Sequence, residues 1–566
     1  MPVVTAIIKC DGKTLPAEYE LLSIETLSEV NRIPSATLVF VDGNPAKQQF
    51  VLSDQTFFEP GKTVEIQLRY EDGKKNSATI FKGLVVKHNL EVNAQESTLS
   101  VELQDAVVGM TRGRNSAVFR QKSDADIFKS LINDAGAKAG SIAPTEPKYE
   151  EIVQYYCSNW DFMLSRAEVN NLLAVVKDGE VSLKKLEITG APKHQLEYGI
   201  TEIYSFEMEA DASRQYESIE TVTWDIKSQK LSQKNKAADF PLSQSNLKGK
   251  TIAGKFGGKE YLLSSAVPIN PKESKNWADA TMARTRMSLL RGVISVPGAA
   301  EAKLLEVMEL KGMGKRFNGK TLITGIRHTV EHSGWATHLQ FGLSGQSFSR
   351  QSFIQDAPAA GLLPAVQGLQ IGIVDAFEED ESKEFRVQVI LPGVNPVKGK
   401  VWARLASPEA GLGADGKGRG YFFRPEKGDE VAVGFFNDDP RQAVILGGLY
   451  SSKNVPPKGW EKLDAENAFK GIVSKTGISF QVDDKEKTLK LLTSEKQYIL
   501  IDEKKKGIEI KDLNENTITL DDKGISIKVA GKLVIEAKGD IELTGKNITL
   551  DASANVEIKG SKVDVK

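Results

Sequence analysis

His328, His332 and His338 form the one local concentration of imidazoles in a chain that carries five histidines. A metal centre needs such side chains to converge, with further partners fixing their tautomers. On an extended strand His328 and His332 share a face, but four residues hold them roughly 13 Å apart. Surface strand histidines are therefore expected, and no metal site is assigned. Asp438 and Asp439 have the types of an acid pair, yet they stand in Asn437-Asp438-Asp439-Pro440, a composition that builds a turn. Gly411–Gly420 (GLGADGKGRG) is glycine-rich but lacks the Gly-Lys-Ser/Thr ending of a phosphate loop, and reads as a flexible connection. Phe422, Phe423, Arg419 and Arg424 are the types that stack on and neutralise single-stranded nucleic acid. Two adjacent phenylalanines in a strand fit packing better. No catalytic residue and no cofactor are assigned, so the reading is of a protein that is not an enzyme.

The bulk numbers agree. Lys+Arg 74 against Asp+Glu 76 gives a net charge of −2, without the basic excess of a general nucleic-acid binder. The two cysteines, Cys10 and Cys157, support neither a disulfide framework nor a zinc site. The start, MPVVTAIIKCDGKTL, lacks the regions of a signal peptide, and no apolar run reaches the ~18 residues of a membrane span. Synthesis in the cytoplasm is expected, with any export by another route. At 566 residues several domains are expected, because single cores rarely exceed ~250–300 residues.

The first hundred residues alternate as strands: IIKCDG, YELLSIET, ATLVFVDG, TVEIQLRYEDG, ATIFKGLVVKHNLEV and STLSVELQD. A mixed part follows. SDADIFKSLINDAG predicts a helix capped by Ser123 or Asp124 and stopped by Gly136; SNWDFMLSRAEVNNLLAV predicts a second, capped by Ser158. KNWADATMARTRMSLLRGV predicts a longer helix, and GKTLITGIRHTVEHSGWATHLQFGLS a long hairpin. APAAGLLPAVQG reads as a linker. Beyond it, LQIGIVDAF, FRVQVILP, KVWARLAS, DEVAVGFF and QAVILGGLY predict a five-stranded barrel of the OB type.

From Ile478 a unit of apolar, outward and apolar residues recurs, at 478, 489, 499, 508, 518, 525, 533, 541, 548, 556 and 563. The steps tighten from 9–11 residues to 7–8 toward the C-terminus. Residues two apart on a strand face the same side. The pairs Ile525/Ile527, Leu533/Ile535, Ile541/Leu543, Ile548/Leu550 and Val556/Ile558 thus form one narrow apolar stripe, with Val534 the exception among the outward residues. No aromatic follows Tyr498 and no proline follows Pro457. One strand cannot bury its own apolar face, so such repeats must stack. Three chains, each supplying one face of a prism, give a core thin enough for Val, Ile and Leu alone. The competing readings of the pattern are a meander and a single-chain solenoid. From Ile499 on, 12 Lys face 13 Asp/Glu, a surface suited to crossing a membrane mechanically rather than binding it.

This order of parts resembles the VgrG-type spike of contractile injection systems, known from type VI secretion, extracellular phage-tail-like particles and phage hub–spike fusions. The likeness covers nearly the whole chain. It is most specific in FFRPEKGDEVAVGFFNDDPRQAVILGGLYSSKNVPP, with Gln442 and Ala443 standing where a second proline is common. Gln154–Val176 and the hairpin around His328 are also similar to family segments. The resemblance implies a mainly β, multidomain chain: a hub β-barrel (1–110), a mixed α/β hub domain (111–205), a second hub barrel region (206–356), a linker (357–368), an OB-fold domain (369–455) and a trimeric β-helix needle (456–566). It implies a homotrimer that adapts a hexameric inner tube to the needle, with baseplate proteins, a PAAR-type tip protein and effector cargo as partners. Val563, Val565 and Lys566 are the expected tip contacts. The 27 residues between Tyr450 and Ile478 are too few for an inserted hydrolase, and a particle released outside the cell is favoured over a cell-anchored system. The alternative function is a trimeric tailspike-like protein that binds or depolymerises carbohydrate. That reading wants aromatics and paired carboxylates in a groove, which this tail lacks; an effector-bearing spike is less favoured.

Overall fold

The computed structural model describes residues 3–71, 77–462 and 465–565. The chain divides into two compact units, Met1–Ala357 and Pro358–Lys566.

The first unit is organised by one thirteen-stranded sheet: two halves of six strands each, with the two-residue strand Lys13–Thr14 at the edge of the first. The first half contains β1 (Val4–Cys10), β2 (Leu21–Glu29), β3 (Ser35–Val41), β4 (Thr63–Tyr70), β5 (Ala78–Val92) and β6 (Ser97–Gln104), in the spatial order β2-β3-β6-β5-β4-β1. Strict alternation explains it: Ala36, Leu38 and Phe40, Val64, Ile66 and Leu68, and Leu99, Val101 and Leu103 all point into one core. The second half contains β7 (His194–Glu197), β8 (Ser205–Ala210), β9 (Leu290–Pro297), β10 (Val307–Lys311), β11 (Gly319–Glu331) and β12 (Gly334–Phe341), in the order β7-β10-β11-β12-β9-β8. Its core includes Ile294, Met308, Ile323, Leu339 and Phe341. The halves join where β11 pairs antiparallel with β2, from Gly325↔Glu29 to Val330↔Ile24. β7 pairs in parallel with β10, so the second half draws a strand from the stretch expected to belong to the mixed domain.

The mixed part carries helices α1 (Asp124–Asp134) and α2 (Asn159–Val169); α3 (Gly249–Lys255) and α4 (Pro271–Met287) lie in the stretch expected to be the second barrel region. The expected caps are present on the first two, at Ser123 and Ser158. At Ser123 a full capping box forms: its hydroxyl accepts from the Asp126 N–H, and the Asp126 carboxylate accepts from the Ser123 N–H. Ser123→Ala is expected to cost about 1 kcal/mol by chemical denaturation at neutral pH. The Ser123 hydroxyl bond holds the Asp126 carboxyl below its usual 3.8, so the deficit shrinks as acid protonates it. Both longer helix predictions overrun. Leu172–Lys177 and Leu290–Pro297 are strands, because Asn170-Asn171 and Ser288 end the helices and the apolar runs beyond them are buried in sheets.

A four-membered ion cluster ties the helices together. Arg166 donates to both oxygens of the fully buried Asp124 at 2.9 Å, to the Tyr149 hydroxyl at 2.6 Å, and pairs with Glu273 on α4 at 2.8 Å. Asn170 donates to the same Asp124 carboxylate at 2.7 Å.

In the second unit β13 (Gln370–Ala376), β14 (Val387–Ile390), β15 (Lys400–Leu405), β16 (Glu430–Phe435) and β17 (Ala443–Gly448) close a barrel in the order β13-β14-β15-β17-β16. These are the five strands read from the sequence. The core is Val374, Val387, Val389, Ala403, Val431, Val433 and Ile445. The stretch expected to be a linker is not free: Ala359 is buried, and the Val366 N–H donates to the Asp438 carbonyl at 2.9 Å. Gly411–Gly420 is not a loose connection either. Ala410–Leu412 pairs with Gly418–Gly420, and Arg419 donates to the Leu412 carbonyl at 2.9 Å.

Candidate assembly surface

After the barrel the chain forms a seven-stranded antiparallel meander: β18 (Phe469–Val473), β19 (Ser479–Asp483), β20 (Thr488–Leu492), β21 (Tyr498–Asp502), β22 (Gly507–Lys511), β23 (Thr517–Asp521) and β24 (Gly524–Lys528). Aspartates set its turns. Asp483, Asp502, Asp512 and Asp521 each accept from backbone N–H groups two to four residues on, at 2.8–3.0 Å. On the first strand Trp460 lies against Gly471, where an added Cβ would come within 2.7 Å of the indole.

Register makes the sheet two-sided. Phe480, Leu491, Ile499, Ile510, Ile518 and Ile527 are paired in one unbroken column across β19–β24. Val482, Leu489, Ile501, Ile508, Leu520 and Ile525 form a second column beside it. The intervening column on the opposite face is Gln481, Lys490, Leu500, Glu509, Thr519 and Ser526. There Tyr498 donates to Glu509 at 2.9 Å and holds Lys490 4.7 Å above its ring. The apolar face is only partly covered among the described residues: Val482, Leu489, Ile508 and Leu520 are half-buried, Ile501 is 44% exposed and Ile525 72%. Fully burying one such side chain is worth roughly 2 kcal/mol, so the part of this twelve-residue stripe still open to water is an unmet driving force.

The needle-core residues expected from the sequence divide at this point. Ile525 and Ile527 lie on the last strand of the sheet, side by side on its apolar face. Leu533, Ile535, Ile541, Leu543, Ile548, Leu550, Val556 and Ile558 follow it, all 51–70% exposed. Among the described residues after Gly531 there is no strand pairing and no backbone–backbone hydrogen bond. Val563 and Val565 are likewise exposed, and Lys566 lies outside the described residues. The ten residues from Phe480 to Leu520 on the two columns are absent from the expected core. Their triads are visible in the sequence, but the 9–11-residue steps mask a stripe that only hairpin register makes continuous. The frame of the first triad also differs, since the apolar pair of β19 is Phe480/Val482 rather than Ile478/Phe480.

The residues with chemical types are occupied structurally. His328 is buried rather than on the surface, because its partners are part of the core. Its Nδ1 accepts from Trp335 Nε1–H at 3.3 Å and lies 2.9 Å from the Thr337 hydroxyl, which itself accepts from the Ala299 N–H. Nδ1 is therefore unprotonated. Burial, with His338 adding a little, pushes the imidazole down to about 4. The unfolded chain takes up this proton near 6.5, so folding is expected to lose up to ~1.4 kcal/mol per pH unit as pH falls from 6.5 to 4. Melting His328→Gln beside the parent across this window checks it: the variant's slope is expected to be shallower. His338 is half-buried against Thr329, and His332 is exposed in the turn. Among the described residues no group of three His, Cys, Asp or Glu side chains is placed to hold a metal ion. Asp439 caps its turn and grips Arg441 at 2.6 Å. Phe422 and Phe423 are 73% and 59% exposed, with Arg424 5.2 Å above the Phe422 ring. No described helix is long and apolar enough to cross a membrane.

Comparison with known proteins gives the family. The model described as the Alg8 N-terminal domain matches residues 1–332, more than half of the chain. The chain belongs to the Alg8 N-terminal domain family. A second model, the type VI secretion system/phage-baseplate injector OB domain, matches residues 370–450, the five-stranded barrel. The likeness to VgrG-type spikes is thus supported over the barrel where its motif lies, as is a mainly β, multidomain chain with a structural spike role. No curated protein matches the chain. Solved structures similar to it include the prophage MuSo2 43 kDa tail protein from Shewanella oneidensis, at 12% identity and TM-score 0.45, covering 60% of this chain and 98% of that one. The E. coli c3393 protein, a type VI secretion component, is 11% identical at TM-score 0.37, covering 78% and 99%. The half-lidded Francisella PdpA–VgrG complex is 11% identical at TM-score 0.40, covering 93% and 87%.

Proposed function

We propose that this Alg8-family chain is the structural spike of a contractile injection system, acting as a homotrimer without catalysis. The observation that carries the reading is the apolar stripe: two columns six strands long that the described residues cover only in part, running into an extended tract with no backbone partner among the described residues. Two further copies supply what is missing. Three stripes facing inward make a dry triangular core, and the unpaired tract finds its backbone partners on neighbouring chains. The exposed Phe422 and Phe423 pack in the same assembly.

The two six-stranded halves of the first unit suit a different contact. Three chains carry six such halves, which lets a trimer meet a hexameric inner tube. Baseplate proteins surround this part. A PAAR-type tip seats on the last rungs, near Val563, Val565 and Lys566, and carries cargo into a pierced envelope. Assembly into a particle released from the cell fits these parts.

The mass of the full-length protein in solution, beside a chain stopped at Tyr450, tests the proposal. A particle of about 186 kDa, three times 61.9 kDa, that weakens on truncation is expected. A full-length monomer overturns it.

A further inference from the structure

The segment from Ile226 to Lys259 holds eight lysines, no arginine and a single acid, Asp239. It carries +7 in a chain of net −2, so all the other residues together carry −9. Strand Ser218–Asp225 pairs on one edge with Lys230–Leu231 and Asn235–Lys236, and on the other with Glu260–Ser265. Register puts Lys230 at its Asp225 end. At its Ser218 end stand Lys259, whose carbonyl accepts from the Ser218 N–H, and α3 with Lys248, Lys250 and Lys255, so half of the lysines share that end. The sheet is tied to α4 by the Thr221 hydroxyl and the Ser274 carbonyl at 3.1 Å.

The neighbouring carboxylates offset only part of it. Glu220 and Glu260 both bind Lys234, at 3.0 and 2.5 Å. Asp239 holds Arg286 at 3.0 Å, and Asp225 accepts from the Lys227 N–H and the Ser228 hydroxyl of its own turn. Glu217 stands beside Gly254 of α3. Apart from Lys234, no lysine of the segment has an ion-pair partner among the described residues. Phe256, which follows Lys255 at the end of α3, is 73% exposed, while Ile226 (69%) and Leu231 (57%) lie at the Asp225 end of the strand.

We propose that this face is a docking site for an acidic protein segment, one rich in Asp and Glu with a few apolar anchors. Compact, mobile ammonium charges suit a chain of carboxylates; arginine, whose fork grips phosphate in two places, is absent from the segment. The apolar residues give short-range grip once the charges have steered the encounter. The proposal does not rest on the spike reading, since it concerns a surface of the first unit alone.

The test is fluorescence anisotropy of the full-length protein with a labelled glutamate-rich peptide of about twenty residues that carries two leucines. Binding is expected at low salt and to weaken at least ~10-fold between about 50 and 300 mM NaCl. Lys248→Glu, Lys250→Glu, Lys255→Glu and Lys259→Glu together should weaken it at least ~10-fold, with matching glutamine substitutions as a milder set should the reversal disturb folding. Lys47→Glu, Lys129→Glu, Lys148→Glu and Lys177→Glu make the same charge change elsewhere and should leave binding within about twofold. No binding at low salt, or equal loss in both sets, overturns the proposal. So does single-stranded DNA of equal charge binding more tightly through the same lysines, which would assign the face to nucleic acid.

Discussion

A chain carrying Ile510→Lys and Ile518→Lys is expected to leave a size column as a 61.9 kDa monomer, while Leu500→Lys stays assembled. Ile510 and Ile518 are directly paired in one apolar column, and Leu500 sits between Lys490 and Glu509 on the opposite face. In a trimer each substitution appears three times. Ile510 is 39% and Ile518 38% exposed in the single chain, so about two fifths of the ~2 kcal/mol for a fully buried isoleucine is at stake in each copy, and each site removes roughly 2–3 kcal/mol over three chains, before the cost of placing ammonium groups in a dry core. Leu500→Lys makes the same chemical change on a solvated face and has Glu509 as a partner. If the two variants behave alike, the stripe is not an interface and the meander stands as a solvated sheet.

The second large effect is expected inside one chain. Arg166→Met should destabilise the first unit by ~3–5 kcal/mol in urea denaturation, because it strands the buried Asp124 carboxylate and the Glu273 beside it. Its diagnostic is the double variant. Asp124→Asn with Arg166→Met removes the stranded charge and should recover part of the loss. Equal instability of the single and the double variant would mean that Arg166 works through packing of its stem on Tyr149, whose ring lies 5.1 Å from the guanidinium.

Much of this fold is legible in the residues alone. Period-two alternation marks the six opening strands and the five of the barrel, because a strand with one wet face must alternate. Ser123 and Ser158 announce their helices because a cap is a local bond within four residues. Helix ends are less legible. Leu172–Val175 is as apolar as a buried helical turn, and only its sheet partners make it a strand. The burial of His328 is hidden for the same reason. Nothing local says that Trp335 and Thr337 will turn their donors toward it from the returning strand.

In the tail the division is sharpest. Residue types and their spacing already say that the apolar side chains come two apart, hence that each strand has one face to hide. How those faces add follows from the pairing of the folded chain. Up to Lys528 each strand folds back on the one before it, through turns of two to five residues, and the apolar pairs align in register across the sheet. After Gly531 no strand of the same chain is there to pair with, and the backbone runs on without partners among the described residues. Hairpin pairing depends on whether the turn can reverse the chain, a property of backbone geometry that composition does not carry.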